Sequence, residues 1–416
     1  MTQTRPQQGT PAVRATAPPG PRTTPRPAGE APGSPSTGRL VGVDLARALA
    51  VFGMYIVHVG PPLSTTDGAA AWVRYLAEGH SSVLFATLAG FSLMLIAGRF
   101  EPKTGPAGRQ AKARIAIRAV VLLALGTAMA MEYGGVIILG FYGLYFLLAL
   151  PLVRLRAGTL ATIAAGLALV GPQLAFVATS RLGDSVQQDF NAYDPLHRLS
   201  DVGVLDLLLT GFYPAITWMP FVVAGMALAR LDLSAAAVQR RLAALGAALV
   251  AGAYGLSLLL AGKSALRSVA EDAAPSSGSG ASSMGGPSGE SGEFERSFSE
   301  LLSAHPHSGT TFDIIGSVGV AILVVVGATV LMDRLPRLRR LAQPVVAVGT
   351  MSLTAYVGHF LAQSVQGDAG QGDSWAPVLT YILGAIVFAA IWSRFFRRGP
   401  LEYLLHAGTK PAGRIR

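Results

Sequence analysis

Apolar residues run along this chain in blocks of about twenty, each bounded by a short polar or charged stretch. Ten such blocks can be read, at 40–60, 81–98, 115–132, 134–153, 159–179, 204–229, 242–261, 312–332, 343–363 and 376–396. Each is close to the ~20 residues that an α-helix needs to cross the hydrocarbon of a bilayer. The pattern predicts an all-α, polytopic integral membrane protein of about ten transmembrane helices. The first block is the most polar, since it holds Asp44, Arg47 and His58, and the third and fourth are joined by a very short turn at Tyr133-Gly134.

The stretches outside the blocks divide the chain further. Residues 1–38 contain nine prolines and almost no large apolar side chain, which predicts a disordered, Pro-rich tail without the apolar core of a signal peptide. Residues 39–405 form the ten-helix domain, and residues 406–416 a basic tail. Two connections are long: 180–203, and 262–311 with its Ser/Gly run from Ser276 to Gly292, which reads as a flexible loop. No internal repeat is evident, which disfavours an inverted-repeat transporter.

Charge gives the topology. With the N terminus in the cytoplasm, 27 Lys and Arg side chains fall on the cytoplasmic side and 6 on the other, while 17 of the 23 acids lie outside. This asymmetry predicts ten spans with both termini cytoplasmic. It also accounts for the net charge of +10 without a nucleic-acid partner. Composition agrees, with 51% hydrophobic and 13% charged residues and a mean hydropathy of +0.47. Soluble domains carry about 25% charged residues. The absence of cysteine excludes disulfides, thiolate metal sites and cysteine nucleophiles. Ala, Gly, Pro and Arg are abundant and Lys is scarce, a usage that points to a bacterial plasma membrane.

The candidate chemistry starts on the first helix. Asp44 and Arg47 stand one turn apart and can pair. Arg47 and His58 are eleven residues apart, which puts them within about 20° of the same direction and about 16 Å apart along the axis. A structural reading has Arg47 snorkelling to headgroups beside Asp44, with His58 capping the helix before Pro61-Pro62. Three polar groups on one intramembrane stripe favour a functional one. His80 at the start of the second helix, beside Ser81 and Ser82, serves either as an interfacial cap or as a site residue. The same two readings hold for His307 ahead of the eighth helix and for His359, about one turn after Tyr356 in the ninth. Asp206 and Asp313 read as acids favourable to helix N-termini. No ligand-spaced histidine pair of the H-x-x-x-H kind occurs, so no metal is expected. P-loop, G-x-G-x-x-G and G-x-S-x-G motifs are also absent.

The string from Asp44 through Arg47 to Val51, with ten residues between Arg47 and His58, resembles the first-helix signature of the membrane acyltransferase superfamily. That superfamily includes acyltransferase-three sugar O-acetylases, heparan-alpha-glucosaminide N-acetyltransferases and the DUF418-like bacterial proteins. His80 to Ser92, with its Gly90-x-Ser92, resembles the second helix of the family. Gly349 to Tyr356 and Gly399 to Leu404 resemble the C-terminal signature of the DUF418-like group. The resemblance spans about residues 39–405.

It implies transfer of an acetyl or other acyl group from acyl-CoA to a hydroxyl or amine of a sugar, envelope component or small metabolite. His58 matches the expected catalytic histidine, with His80, His307 and His359 as candidates beside it. An imidazole titrates near 6.5 in water, so it can take a proton from the acceptor or carry the acyl group itself, and both routes stay open. Arg47 is assigned to the donor's phosphates or thioester carbonyl, with Asp44 orienting it and Ser81, Ser82 and Tyr356 completing a substrate-binding set. Acetyl-CoA is the expected co-substrate, the bilayer and an unknown acceptor are the partners, and a homo-oligomer is open. Two other readings compete. A transporter would use the polar stripe as a solute or proton path. A non-catalytic scaffold would depend on residues 1–38 more than on His58.

Overall fold

The computed structural model describes Thr2 and residues 40–262, 298–366 and 374–415. The tail expected over 3–38 and the Ser/Gly run of the long loop lie outside the described residues. The described chain is helical, with no strand. In chain order the helices are α1 (Val41–Val59), α2 (Gly68–Ala77), α3 (His80–Ala97), α4 (Gly105–Tyr133), α5 (Ile138–Ala149), α6 (Ala157–Arg181), α7 (Asp184–Tyr193) and α8 (Pro195–Ser200). They continue as α9 (Ala215–Ala229), α10 (Ala236–Ala261), α11 (Thr311–Arg334), α12 (Pro336–Leu341), α13 (Gln343–Thr350), α14 (Ser352–Gln366), α15 (Ala376–Phe395) and α16 (Pro400–Gly408).

Seven of the described helices are long and apolar enough to span a membrane, or eight if the bent pair α13–α14 counts as one span. Three expected blocks depart from a straight crossing helix. The 134–153 block is a short helix, α5, and the 204–229 block is a π turn over Asp206–Thr210 followed by α9 from Ala215 onward. The 343–363 block breaks at Met351, where α13 and α14 meet at 87°. An apolar count over a window cannot register these breaks.

Breaking a helix inside an apolar bundle exposes backbone groups that need partners. Side chains supply them. The Ile138 N–H that opens α5 donates to the Tyr356 hydroxyl at 3.3 Å. The N-terminus of α14 is capped by Glu402 of α16, whose Oε1 accepts from the Leu353 and Thr354 N–H groups at 2.8 and 3.1 Å. Its Oε2 accepts from Thr354 Oγ1 at 2.6 Å. Both C-terminal motifs of the sequence therefore meet at one helix break.

Small residues set the close helix contacts, as expected where no water drives association. A Cβ on Gly90 of α3 would lie 1.9 Å from the Val222 carbonyl oxygen of α9, and one on Gly225 of α9 would lie 1.8 Å from that of Thr87. A Cβ on Gly349 of α13 would lie 1.7 Å from the Asp44 carbonyl oxygen of α1. One end of the bundle is tied by arginines. Arg230 donates to the Gly98, Arg99, Val153 and Leu155 carbonyls, and Arg99 returns bonds to Ala229 and Leu231. The other end gathers His58, His80, His307 and His359.

Candidate active site

α1 spans the distance between two polar centres. Near its start, Arg47 Nη1 donates to Asp44 Oδ1 at 2.6 Å and Arg47 Nη2 to Ser92 Oγ at 3.0 Å. Ser92 Oγ in turn donates to the Leu88 carbonyl at 2.7 Å, so the guanidinium joins α1 to α3. The i, i+3 pair expected from the sequence is formed. Ser92, present in the Gly90-x-Ser92 motif, is its third member.

At the far end of α1, His58 Nδ1 lies 2.8 Å from His359 Nε2 of α14. His359 Nδ1 contacts the Tyr356 carbonyl oxygen. A carbonyl can only accept, so His359 carries its proton on Nδ1. With both rings neutral, His359 Nε2 is then an acceptor and His58 Nδ1 must donate to it. That leaves His58 Nε2 as a bare lone pair. The orientation follows the logic of a base held in one tautomer by a second group. Tyr55, one helical turn before His58, packs its ring 4.9 Å from that of His359 and donates to the Ala355 carbonyl at 2.8 Å. Gln363 Nε2 reaches the His58 carbonyl at 3.4 Å.

Arg74 of α2 is buried at 8% exposure. Its Nε donates to the Pro61 carbonyl at 3.2 Å, its Nη1 stands 3.3 Å from Glu78 Oε2, and its charge acts on His58. In the sequence it reads as one of a few loop cations. The signal for more was its place among apolar residues in Ala69–Ala77.

His80 begins a chain of polar contacts through α10 to α11. Its Nδ1 lies 3.0 Å from the Glu78 carbonyl and its Nε2 2.9 Å from the Tyr254 hydroxyl. Tyr254 is 3.4 Å from Ser317 Oγ, which is 3.1 Å from Asp313 Oδ1. This chain has two complete proton arrangements. With His80 doubly protonated and Asp313 ionised, each group donates toward Asp313. With the proton on Asp313, every bond of the three reverses and His80 Nε2 accepts from Tyr254. The two states differ by one proton carried from one end to the other. Asp313 stands in the first turn of α11, as expected of a helix-end acid, and is also buried, while the apolar α10 sequence around Tyr254 gives no signal of its contact.

His307 sits in the loop before α11, in the left-handed region at φ 63°. The rings of Phe212, Tyr213 and Trp218 surround it at 4.9, 5.8 and 5.9 Å. Its Nδ1 is buried with no hydrogen-bond partner among the described residues. Burial, reinforced by His80, His305 and His58, pushes its pKa down to about 4. The loop is pressed onto the start of α3. A Cβ on Gly79, itself at φ 70°, would lie 2.7 Å from Pro306 Cβ.

Four expected site residues therefore share one end of the bundle. His58 and His359 are in contact, and His80 and His307 are within electrostatic reach of that pair or of each other. Asp44 and Arg47 lie at the opposite end of α1. Ser81 and Ser82 are buried and donate to the Ala77 and Gly79 carbonyls at 2.7 and 2.8 Å. The Tyr356 hydroxyl accepts from Ile138, so its nearer contribution to the histidines is the carbonyl that orients His359. Among the described residues no group of three His, Asp or Glu side chains converges to hold a metal ion.

Two family profiles match the chain. That of the heparan-alpha-glucosaminide N-acetyltransferase catalytic domain covers residues 39–266, and a profile described as a protein of unknown function, DUF418, covers residues 294–411. No curated protein matches. The first match carries His58, His80, Asp44 and Arg47, and the second carries His307, His359 and Glu402. With more than half of its length matched by the first profile, the chain belongs to the membrane acyltransferase family of the heparan-alpha-glucosaminide N-acetyltransferases.

Proposed function

We propose that this protein is a membrane acyltransferase. It takes an acetyl or short acyl group from acyl-CoA and places it on a hydroxyl or amine of a sugar, envelope component or small metabolite. The observation that carries the reading is the His58–His359 contact, which leaves a directed lone pair on His58 Nε2. Family membership supplies the reaction class.

His58 Nε2 acts at the carbonyl-transfer step. As nucleophile it bonds to the acyl carbon, the C–S bond breaks, and the coenzyme A thiolate leaves. The proton on His58 Nδ1 shifts toward His359 Nε2, which relieves the positive charge on the acylated ring. The acceptor then attacks the acyl carbon, the bond from that carbon to His58 Nε2 breaks, the proton shared with His359 returns to His58 Nδ1, and the acceptor's own proton goes to the coenzyme A thiolate. As base, the same lone pair removes the acceptor's proton while the acceptor attacks the thioester carbonyl directly; the C–S bond breaks, and the coenzyme A thiolate leaves and takes that proton from His58 Nε2. His359 holds the tautomer in either route. The His80–Asp313 chain stores or delivers one proton beside the site. Arg47, about 16 Å back along α1, is placed for the polar part of the donor, with Asp44 and Ser92 fixing its fork.

The short helices α5 and α9 and the bent pair α13–α14 complete ten membrane passes, with both termini cytoplasmic and the histidines near the opposite face. The charge distribution of the loops supports that orientation, and the residue usage supports a bacterial plasma membrane. A transport reading draws no support from the family matches.

The test is calorimetric titration of acetyl-CoA into the protein in nanodiscs. Saturable binding that Arg47→Ala removes and His58→Ala keeps is expected. Absence of binding in every form would overturn the acetyl-CoA reading.

A further inference from the structure

The C-terminal segment folds back against the first turns of α4. Gln110 Nε2 donates to the Gly413 and Ile415 carbonyls at 3.2 and 3.0 Å. Gln110, Arg114 and Arg118 follow at i, i+4 and i+8 and so form one stripe of α4. Arg114 reaches the tail, because a Cβ on Gly413 would lie 3.8 Å from its Nη2. Arg398 lies two residues before α16 and Lys410 two residues after it. Four cations thus act on one imidazole, that of His406. Its pKa is lowered by burial first, then by Arg398, Arg118, Lys410 and Arg114.

None of these four cations has an ion-pair partner among the described residues. The one carboxylate whose charge reaches Arg118 is Glu402, and both its oxygens are committed to capping α14. Like charges spaced i, i+4 on a helix repel. Here two from α4 are joined by two more through a fold that the Gln110 clamp holds shut. Arg114 and Arg118 are partly buried, while Arg398 and Lys410 are exposed, so the cluster is open on one side. Guanidinium forks with an ammonium beside them match phosphate oxygens, which they engage with charge-assisted bonds.

We propose that Arg114, Arg118, Arg398 and Lys410 form a binding site for a phosphate-bearing anion at the Arg-rich end of the bundle. Two sources share that chemistry, the nucleotide end of coenzyme A and the headgroup of an acidic phospholipid. The first rests on the acyltransfer reading, and the second does not. The site joins residues from both matched stretches of the chain, which gives the tail a reason to be folded against α4.

The experiment uses the full chain in phosphatidylcholine nanodiscs, with coenzyme A as the titrant. In parallel, native mass spectrometry counts phosphatidylglycerol retained from mixed micelles. The variants are Arg114→Gln/Arg118→Gln and Arg398→Gln/Lys410→Gln, with Arg114→Lys/Arg118→Lys as the charge-keeping control. Thermal melts establish that each variant is folded. At least a tenfold loss of coenzyme A affinity in both Gln pairs, partly restored by the Lys pair, assigns the nucleotide source. Unchanged coenzyme A affinity with loss of retained phosphatidylglycerol assigns the lipid source. If folded Gln pairs keep both at wild-type level, the site is overturned. His58-dependent acyl transfer, measured in the same preparations, separates that outcome from failure of the acyltransferase reading.

Discussion

His58 and His359 are 301 residues apart in the chain, and their ring nitrogens lie 2.8 Å apart. His359 acts on the reaction through His58, as a positioning residue. Its removal should lower turnover by roughly 100-fold or more, in the range of general acid–base contributions. The affinity for acetyl-CoA should stay unchanged. His359→Gln keeps an acceptor oxygen for His58 Nδ1–H and should recover part of the loss that His359→Ala does not. Steady-state kinetics of the two variants, with kcat and KM separated, check this.

The Glu402 cap links the C-terminal motif to the helix break that presents His359. Glu402→Ala leaves two N–H groups and one hydroxyl without their acceptor. A cost of about 1–2 kcal/mol in stability is expected, comparable to loss of a helix cap. Glu402→Gln, which retains one carbonyl oxygen, should lose less. Thermal or denaturant unfolding in a fixed detergent measures both.

Gly349 faces the backbone of α1, and a Cβ there would lie 1.7 Å from the Asp44 carbonyl oxygen. The contact is with backbone, so neither helix can yield locally. Gly349→Ala should destabilise the protein by about 1–3 kcal/mol, as overpacking does. The same substitution at Gly166, where a Cβ would meet nothing within 4 Å, should be close to neutral.

Much of the fold was legible because bilayer-crossing helices announce themselves as apolar blocks. The Asp44–Arg47 pair was legible for a local reason, a separation of one turn. The His58–His359 pair was not, since nothing in a sequence relates two histidines so far apart. The break at Met351 was hidden inside an apolar run, and the α5 and α9 segments read as full-length spans for the same reason. The task of Ser92, to accept from Arg47, depends on how α3 packs against α1 and so is not written in its motif. Arg74 was masked by its place in what read as a loop, and Tyr254 by the apolar helix around it.

His307 gives a pH dependence of stability. Its imidazole titrates at about 4 in the folded protein and near 6.5 when unfolded. Between those values the unfolded chain binds more protons, so stability is full above about pH 6.5 and declines as pH falls toward 4. The decline attributable to this residue is about 3 kcal/mol. His307→Gln should flatten that part of the profile. Trp218, stacked near the ring, offers the fluorescence signal.

The His80–Tyr254–Ser317–Asp313 chain needs both hydroxyls to move a proton. Tyr254→Phe should interrupt it without altering the His58–His359 contact. Infrared difference spectra should then lose the coupling between the carboxylic acid band, assigned by Asp313→Asn, and the imidazole bands of His80. An unchanged coupling in Tyr254→Phe would remove the chain as a proton path.

The most direct measurement of the central claim is thiol release from acetyl-CoA, supplied with a panel of amines and hydroxyl compounds. The chain has no cysteine, so every free thiol detected comes from coenzyme A. The account predicts saturable, acceptor-dependent release that His58→Ala abolishes while acetyl-CoA still binds. Release at the wild-type rate in His58→Ala would contradict it.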